Sequence, residues 1–271
     1  MILDFDNLPV NEAQHYLQHA IAPRPICFAS TIDKEGRINL SPFSFFNVFS
    51  SNPPIVVFSP SRRARNNTVK DTFINVTEVP EVGINIVDYD MVHQMSLSSC
   101  EYDADVNEFI KAGFTMQPAT IIRPPLVLES KIKMECRVTD VHTLGDQGGA
   151  GVLVVAEVLK MHLKEDILDK NNHIDPLKIQ QVARLGGDWY IHAKPEYLFK
   201  IPKPITELGI GVDNLPKKIV NSPILTGNHL GQLANVSRIP DLDEGHDDPV
   251  YHLVKSDNNY ANRVAELLDN G

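Results

Sequence analysis

PRPICFASTIDKEGRINLSPFSFFNVFSSNPPIVVFS, residues 23–59, is the stretch on which the fold turns. Pro23 and Pro25 start it in an extended conformation, and residues 25–32 (PICFASTI) then read as a strand. DKEG at 33–36 supplies a turn that ends on glycine. Residues 37–46 return as the partner strand, and Pro42 marks an edge or a bulge because proline has no N–H to give a ladder. Residues 55–59 form a third strand, set off by Pro53, Pro54 and Pro60. Three strands joined by short connections pair antiparallel, as a meander or a barrel.

On the N-terminal side, residues 11–20 (NEAQHYLQHA) read as a helix capped by Asn11, with Ala13, Tyr16, Leu17 and Ala20 on one side. On the other side a polar, basic run, 61–72 (SRRARNNTVKDT), leads into a short helix over about 69–77. A strand over 82–87 (VGINIV) follows, then helices over 91–99 and 104–111, the second starting near Asp103 or Asp105. Residues 126–141 and 151–163 carry the strongest β signal. Leu126, Leu128, Ile132, Met134, Cys136 and Val138 share one parity, and the second segment is rich in Val and Leu. With TLGDQGGAG (143–151) as the turn they make a long hairpin. Residues 189–193 are a further strand. Beyond Pro195 prolines punctuate the chain, 241–248 (DLDEGHDD) holds five acidic residues, and a helix over about 260–268 closes it. The expected organisation is one β-barrel domain over 1–203 and an extension over 204–271 that packs on the barrel or on a dimer partner.

The chain has 271 residues, 42% of them hydrophobic, enough to bury a real core. Acidic side chains number 35 against 25 basic, a formal charge of −10. Such a surface repels nucleic acid, so any phosphate site must be a local basic patch. Cys27, Cys100 and Cys136 are few and far apart, giving neither a disulfide framework nor a metal knuckle, and they fit a reducing compartment. The N-terminus (MILDFDNLPV) has no signal-peptide pattern, and no apolar run approaches the ~18 residues of a membrane span. A soluble cytoplasmic protein, with no membrane and no nucleic acid among its partners, is the simplest account.

Several constellations are weak. Gly145, Gly148, Gly149 and Gly151 lack the lysine and hydroxyl of a P-loop and sit between two strands, so a hairpin turn explains them. His15 and His19 have metal-competent spacing on a helix, but no HExxH accompanies them, and no metal is expected. A GxSxG elbow is absent. The basic run stands out: Arg62, Arg63, Arg65 and Lys70 put four cations in nine residues, with Asn66, Asn67, Thr68 and Thr72 as short donors. A loop of this kind entering a helix suits a phosphomonoester, the alternative being a solvated basic loop.

Four pieces in order, residues 23–59, RRARNNTVKDTFIN (62–75), VGINIV (82–87) and RLGGDWY (184–190), resemble the flavin reductase-like family over roughly residues 18–200. The resemblance implies a mainly β fold: a split β-barrel that binds flavin mononucleotide (FMN), with peripheral helices and a C-terminal extension, in a homodimer. It puts Ser30 and Thr31 against the isoalloxazine ring, Ser44, Phe45, Phe46 and Asn47 against ring and ribityl chain, and Arg63, Asn67, Lys70, Asp71 and Thr72 around the 5′-phosphate. Gly186 falls near the cofactor edge. Arg184 falls on the substrate side, together with His173 from its place in the preceding loop. Strand alternation puts Phe43 and Phe45 on one face and Phe46 on the other. Asp71 is expected to orient Arg63 or Lys70, or to cap the helix.

The implied activity is that of an FMN-dependent oxidoreductase, an NAD(P)H-dependent flavin reductase in which NADH or NADPH binds transiently and no side chain acts as acid or base. Its partners are then a second copy and a small-molecule substrate. A carrier or structural flavoprotein without NAD(P)H reductase activity, and a flavoprotein oxygenase acting on a small organic substrate, are the alternatives.

Overall fold

Strand β1, Cys27–Ile32, is buried along its whole length. Cys27 and Ala29 enter one apolar cluster and Phe28 another, as period-2 alternation requires of a strand covered on both faces. This computed structural model describes residues 1–201, 207–239 and 260–270. It divides into two compact units, Met1–Leu198 and Phe199–Gly271.

In the first unit β1 is followed by β2 (Ile38–Phe43), β3 (Phe46–Ser51), β4 (Pro54–Phe58) and β5 (Glu81–Ile86). A small pair, β6 (Met116–Gln117) and β7 (Leu126–Val127), precedes the long hairpin β8 (Ile132–Thr143) and β9 (Val152–Leu163), and β10 (Val182–Arg184) pairs with β11 (Tyr190–His192). The main sheet has seven strands in the order β2-β1-β5-β8-β9-β4-β3, and every pairing in it is antiparallel. Gly36 makes the first turn at φ 84°. Pro42 lies opposite Phe28 on β2, an edge strand, where its missing N–H breaks no ladder.

The single strand expected over 37–46 is corrected. β2 stops at Phe43, and Phe46 begins β3 at the opposite edge of the sheet. Two residues, Ser44 and Phe45, make that passage, and three residue steps reach at most about 11 Å. A flat sheet of this width would hold its edges about 29 Å apart, at roughly 4.8 Å per strand. The sheet therefore curls until its edges meet, which is a split barrel. Its interior is the first cluster, including Phe43, Phe58, Ile84, Met134 and Val154.

Helix α1 (Val10–Ala20) follows Pro9 with no side-chain cap, so Asn11 lies inside its first turn and does not cap it. Helix α2 (Asp71–Glu78) sends Val76 into the barrel. Helices α3 (Val92–Leu97) and α4 (Glu108–Ala112) bury Met95 and Phe109 against Phe28 and Leu40 outside it. The cap of α4 is Asn107, whose Oδ1 accepts from the Phe109 amide at 2.9 Å, so the helix starts later than Asp103 or Asp105 implied. The strand expected over 126–141 is also two: Ser130 Oγ bonds the carbonyls of Ile86 and Ile132 and turns the chain between β7 and β8. A short helix α5 (Pro176–Ile179) leads to β10.

In the second unit α6 (Lys217–Val220), α7 (Gly227–Leu233) and α8 (Tyr260–Asn270) are short helices. Thr226 and His229 form a capping box at the start of α7. His229 Nε2 reaches Asp269 Oδ1 at 2.7 Å, which ties α7 to α8. The acidic segment 241–248 lies outside the described residues.

One buried charge holds the barrel wall. Glu135 on β8 has no exposed side-chain surface. It accepts from the Thr120 amide at 2.9 Å, the Thr120 hydroxyl at 2.7 Å, the Ile121 amide at 2.7 Å and His162 Nε2 at 2.6 Å. Burial alone would raise its pKa, but the donors from Thr120, His162 and Ile121 outweigh burial and bring it from 4.5 to about 2. A carboxyl group depressed in the folded state stabilises above its unfolded pKa and loses that contribution as pH falls through the folded one. The stability difference between the wild type and Glu135→Gln is therefore widest above about pH 4.5 and closes by roughly 3 kcal/mol on the way to pH 2. Urea denaturation of both proteins across that window measures it, and a gap that stays constant would show that ionised Glu135 is not its source.

Candidate functional site

The corner that closes the barrel also makes a wall. Phe43 and Phe46 turn into the core, while Phe45 stays 42% exposed and lines a cleft of 520 Å³. Phe43 and Phe45 thus do not share a face: the chain changes strands between them, and alternation does not carry across the break. Ser59 N donates to the Phe45 carbonyl at 2.9 Å, and Ser44 Oγ accepts from Arg24 Nε at 3.4 Å. Arg24 is itself buried and also donates to the carbonyls of Gln18, Ile21 (2.7 Å) and Leu185 (2.8 Å). It thereby joins the end of α1 to the corner and to the RLGG segment.

Five parts of the chain, with Glu108, surround the cleft. Helix α1 contributes Val10, Ala13 and Leu17, which accounts for an apolar face with nothing buried. Strand β2 contributes Asn39 and Ser41, the basic loop contributes Ser61 to Arg65, and the start of α2 contributes Lys70, Asp71 and Thr72. The segment 98–102, with Glu108 beside it, closes the ring.

The basic loop is held from below by the glycine turn. Arg62 N donates to the Ala150 carbonyl at 2.9 Å, and Gly149 N donates to the Arg62 carbonyl at 3.2 Å. A Cβ on Gly148 would stand 2.8 Å from the Ala64 carbonyl oxygen, so the loop approaches this closely only because residue 148 is glycine. Within the loop Arg62 Nε bonds Asn67 Oδ1 at 2.7 Å, and Asn67 sits at φ 55°, a conformation asparagine tolerates. Arg63 spans the loop to the Val69 carbonyl at 2.6 Å.

At the basic end Lys70 Nζ lies 5.1 Å from the centre of the Phe43 ring. Burial lowers its pKa and neighbouring Arg63 lowers it further, while Glu101 acts the other way. Asp71 and Thr72 open α2, where the first amides have no acceptor inside the helix. A hydrogen-bonded chain sets the floor: Thr72 Oγ1 donates to Asn39 Oδ1 at 2.7 Å, and Asn39 Nδ2 donates to Glu108 Oε1 at 3.0 Å. The Leu40 amide donates to Glu108 Oε2 at 2.9 Å. Burial, with Asp71 nearby, raises the Glu108 pKa against these donors.

Of the residues that the resemblance assigned to flavin or substrate, Phe45, Arg63, Lys70, Asp71 and Thr72 meet at this cleft, together with Arg62 and Arg65 of the basic run. The others lie elsewhere. Ser30 is sealed beneath Gly83 and Pro125, with its hydroxyl on their carbonyls, and Thr31 accepts from Asn75 Nδ2 at 3.0 Å inside the fold. Ser44 serves the corner, Phe46 packs on the barrel core, and Asn47 accepts from the Val48 amide. Asn67 acts within the basic loop. A Cβ on Gly186 would collide with the His19 imidazole, so its role is close packing on α1. Arg184 is spent on Tyr190 and the Gly187 carbonyl, and the amide of His173 closes a turn on Asp169. Asp71 makes no hydrogen bond to Arg63 or Lys70 among the described residues, and the cap position of α2 belongs to Lys70. Asn39, Ser41 and the 98–102 segment, absent from the sequence reading, line the cleft because folding brings them there. Alternation along β2 places Asn39 and Ser41 on one face, but nothing in the sequence says what faces them.

The family model for the flavin reductase like domain matches residues 19–178. An uncharacterized protein of Aquifex aeolicus is 35% identical over 181 residues, which span 67% of this chain and 90% of that protein. An uncharacterized protein of Halalkalibacterium halodurans is 33% identical over 192 residues, 70% of this chain and 91% of its own. Among solved structures, nitrilotriacetate monooxygenase component B from Bacillus cereus aligns with a TM-score of 0.68 at 26% identity, covering 75% of this chain and 98% of that one.

Proposed function

The chain belongs to the flavin reductase-like family, and from that premise we propose that the cleft holds FMN and that the protein is an FMN-dependent oxidoreductase reduced by NADH or NADPH. The observation that carries this reading is the division of one cleft's lining between cations and apolar groups. Arg62, Arg63, Arg65 and Lys70, with the first turn of α2, supply charge and donors, while Phe45, with Val10 and Leu17 of α1, supplies an apolar surface. A phosphomonoester joined to a flat aromatic ring system matches that division. The volume, 520 Å³, falls in the about 300–1,000 Å³ range of small-molecule sites.

Arg63, Arg65 and Lys70 are assigned to the phosphate, with Ser61 as an added hydroxyl donor, while Thr72, buried with its hydroxyl on Asn39, backs them. Phe45 gives the ring an apolar face, and Asn39 and Ser41 offer polar groups beside it. Bound there, FMN supplies a ring that takes a hydride from a reduced nicotinamide and passes electrons to an acceptor. The protein's own part is positioning and exclusion of water: the glycine turn and Arg24 fix the cleft walls before any ligand enters. Ser30 and Thr31, sealed in the fold, are left out of this assignment, as are Arg184 and His173.

A homodimer fits the surface of edge strand β3, where Val48 is 65% and Phe49 68% exposed. A mass in solution equal to one chain at micromolar concentration would remove this part. A reducing, cytoplasmic setting fits three free cysteines, two of them buried, with burial pushing the Cys136 thiol up to about 12.

Lys70→Ala is expected to weaken FMN by roughly 1.5–3 kcal/mol, as for a lost charge-assisted contact, and to leave riboflavin nearly unchanged. Parallel titrations of the two flavins decide it, since equal losses exclude a phosphate at this end. Anaerobic addition of NADH or NADPH to the FMN-loaded protein should bleach the flavin band. Bound flavin that stays oxidised with both nicotinamides would favour a carrier.

A further inference from the structure

The basic end of the cleft already contains an anion. Glu101 Oε2 lies 2.6 Å from an Arg65 terminal nitrogen, and Glu101 Oε1 lies 3.5 Å from Arg63 Nε. The carboxylate is delivered there by the fold. The Cys100 amide donates to the Leu97 carbonyl at 3.3 Å, and buried Ser98 donates to the Met95 carbonyl at 2.7 Å, so the segment that carries Glu101 is anchored to α3. Of the three acidic side chains lining the cleft, Glu101 is the one that forms ion pairs with the arginines among the described residues. Glu108 is bound by Asn39 and the Leu40 amide.

We propose that Glu101 is an internal counter-ion that competes with the ligand's phosphate for Arg63 and Arg65, and so limits how strongly the protein prefers phosphorylated flavin and how long it keeps it. This rests on the phosphate assignment above. A carboxylate presents two oxygens to guanidinium groups much as a phosphate does, with about half to two-thirds of the charge. The Glu101 side chain is 51% exposed, which leaves the pair weak and open to exchange with a dianion from solution. When the phosphate enters, Glu101 yields the arginines; when it leaves, Glu101 takes them back, so that Arg63 and Arg65 keep an anionic partner in the empty cleft. The phosphate's net contribution is the difference between two ion pairings rather than the whole of one. That difference suits a flavin exchanged with solution more than one kept for the lifetime of the protein.

Glu101→Gln keeps the size of the side chain, removes the charge, and touches a half-exposed position with no role in the core. Dissociation constants and release rates of FMN and of riboflavin are measured for the full-length wild type and for this variant. The expected result is that FMN binds about three- to ten-fold more tightly and leaves correspondingly more slowly, while riboflavin changes by less than about two-fold. FMN affinity that is unchanged or lower in the variant, with the wild type still preferring FMN to riboflavin, overturns the proposal: Glu101 would then be a buttress for the arginines. Equal tightening of both flavins overturns it as well. If the wild type itself does not distinguish FMN from riboflavin, the phosphate assignment fails first and takes the competition with it.

Discussion

Ser44 and Phe45 carry the chain from one edge of a seven-stranded sheet to the other, and the rest of the first unit is arranged around that short passage. Two residues cannot span an open sheet of that width, so closure is a covalent requirement as well as a packing preference. Closure drives Phe43 and Phe46 into the barrel. Phe45, between them, has no inward position left and becomes the aromatic wall of the cleft. The most exposed large side chain at the corner is therefore a consequence of how the barrel shuts, and apolar residues of α1 line the cleft with it. Arg24 secures the same corner from behind, with its guanidinium on carbonyls from two other segments.

The second constraint is closeness of backbones. The basic loop would be a solvated excursion if it did not rest on the tip of the β8–β9 hairpin. It rests there because Gly148 has no side chain to meet the Ala64 carbonyl. The glycine turn and the arginine-rich loop, far apart in the chain, are two halves of one support. Side chains on a loop held this way have lost much of their freedom before a ligand arrives, which lowers the entropy lost on binding. Gly186 does the same for α1, letting the helix end lie against the RLGG segment.

This division explains what the sequence could and could not disclose. Strands β1, β4, β5, β8 and β9 are each announced by local composition, and the hairpin of β8 and β9 by its turn. The break at Ser44 is not, because SPFSFF reads as one strand in any local window and only the sheet's closure divides it. In the cleft the same split appears. Arg63, Lys70, Asp71, Thr72 and Phe45 lie in runs whose chemistry is visible in the letters. Glu101 and Asn39 do not: each acquires its meaning from a partner 36 or 69 residues away, Arg65 in one case and Glu108 in the other. Ser30 and Thr31 mislead for the opposite reason. Polar residues in a strand look available, but a strand buried on both faces spends its hydroxyls on neighbouring carbonyls and amides.

Three carboxylates show how burial sorts the uses of one functional group. Glu135 is wholly buried and takes hydrogen bonds from several donors at once, so it remains charged to low pH and fixes the loop over β8. Glu108 is nearly as buried but has fewer donors, and burial dominates: its charge is disfavoured while its geometry orders Asn39 and Thr72. Glu101 is the exposed member, bound among the described residues by two arginines that also face the cleft. The first two cannot leave without exposing unpaired buried donors, at a cost of about 1–3 kcal/mol for each such group. Glu101 leaves nothing buried behind it, since water and an incoming anion both reach the arginines it releases. An ion pair that would be a poor contributor to stability is for that reason the one suited to exchange.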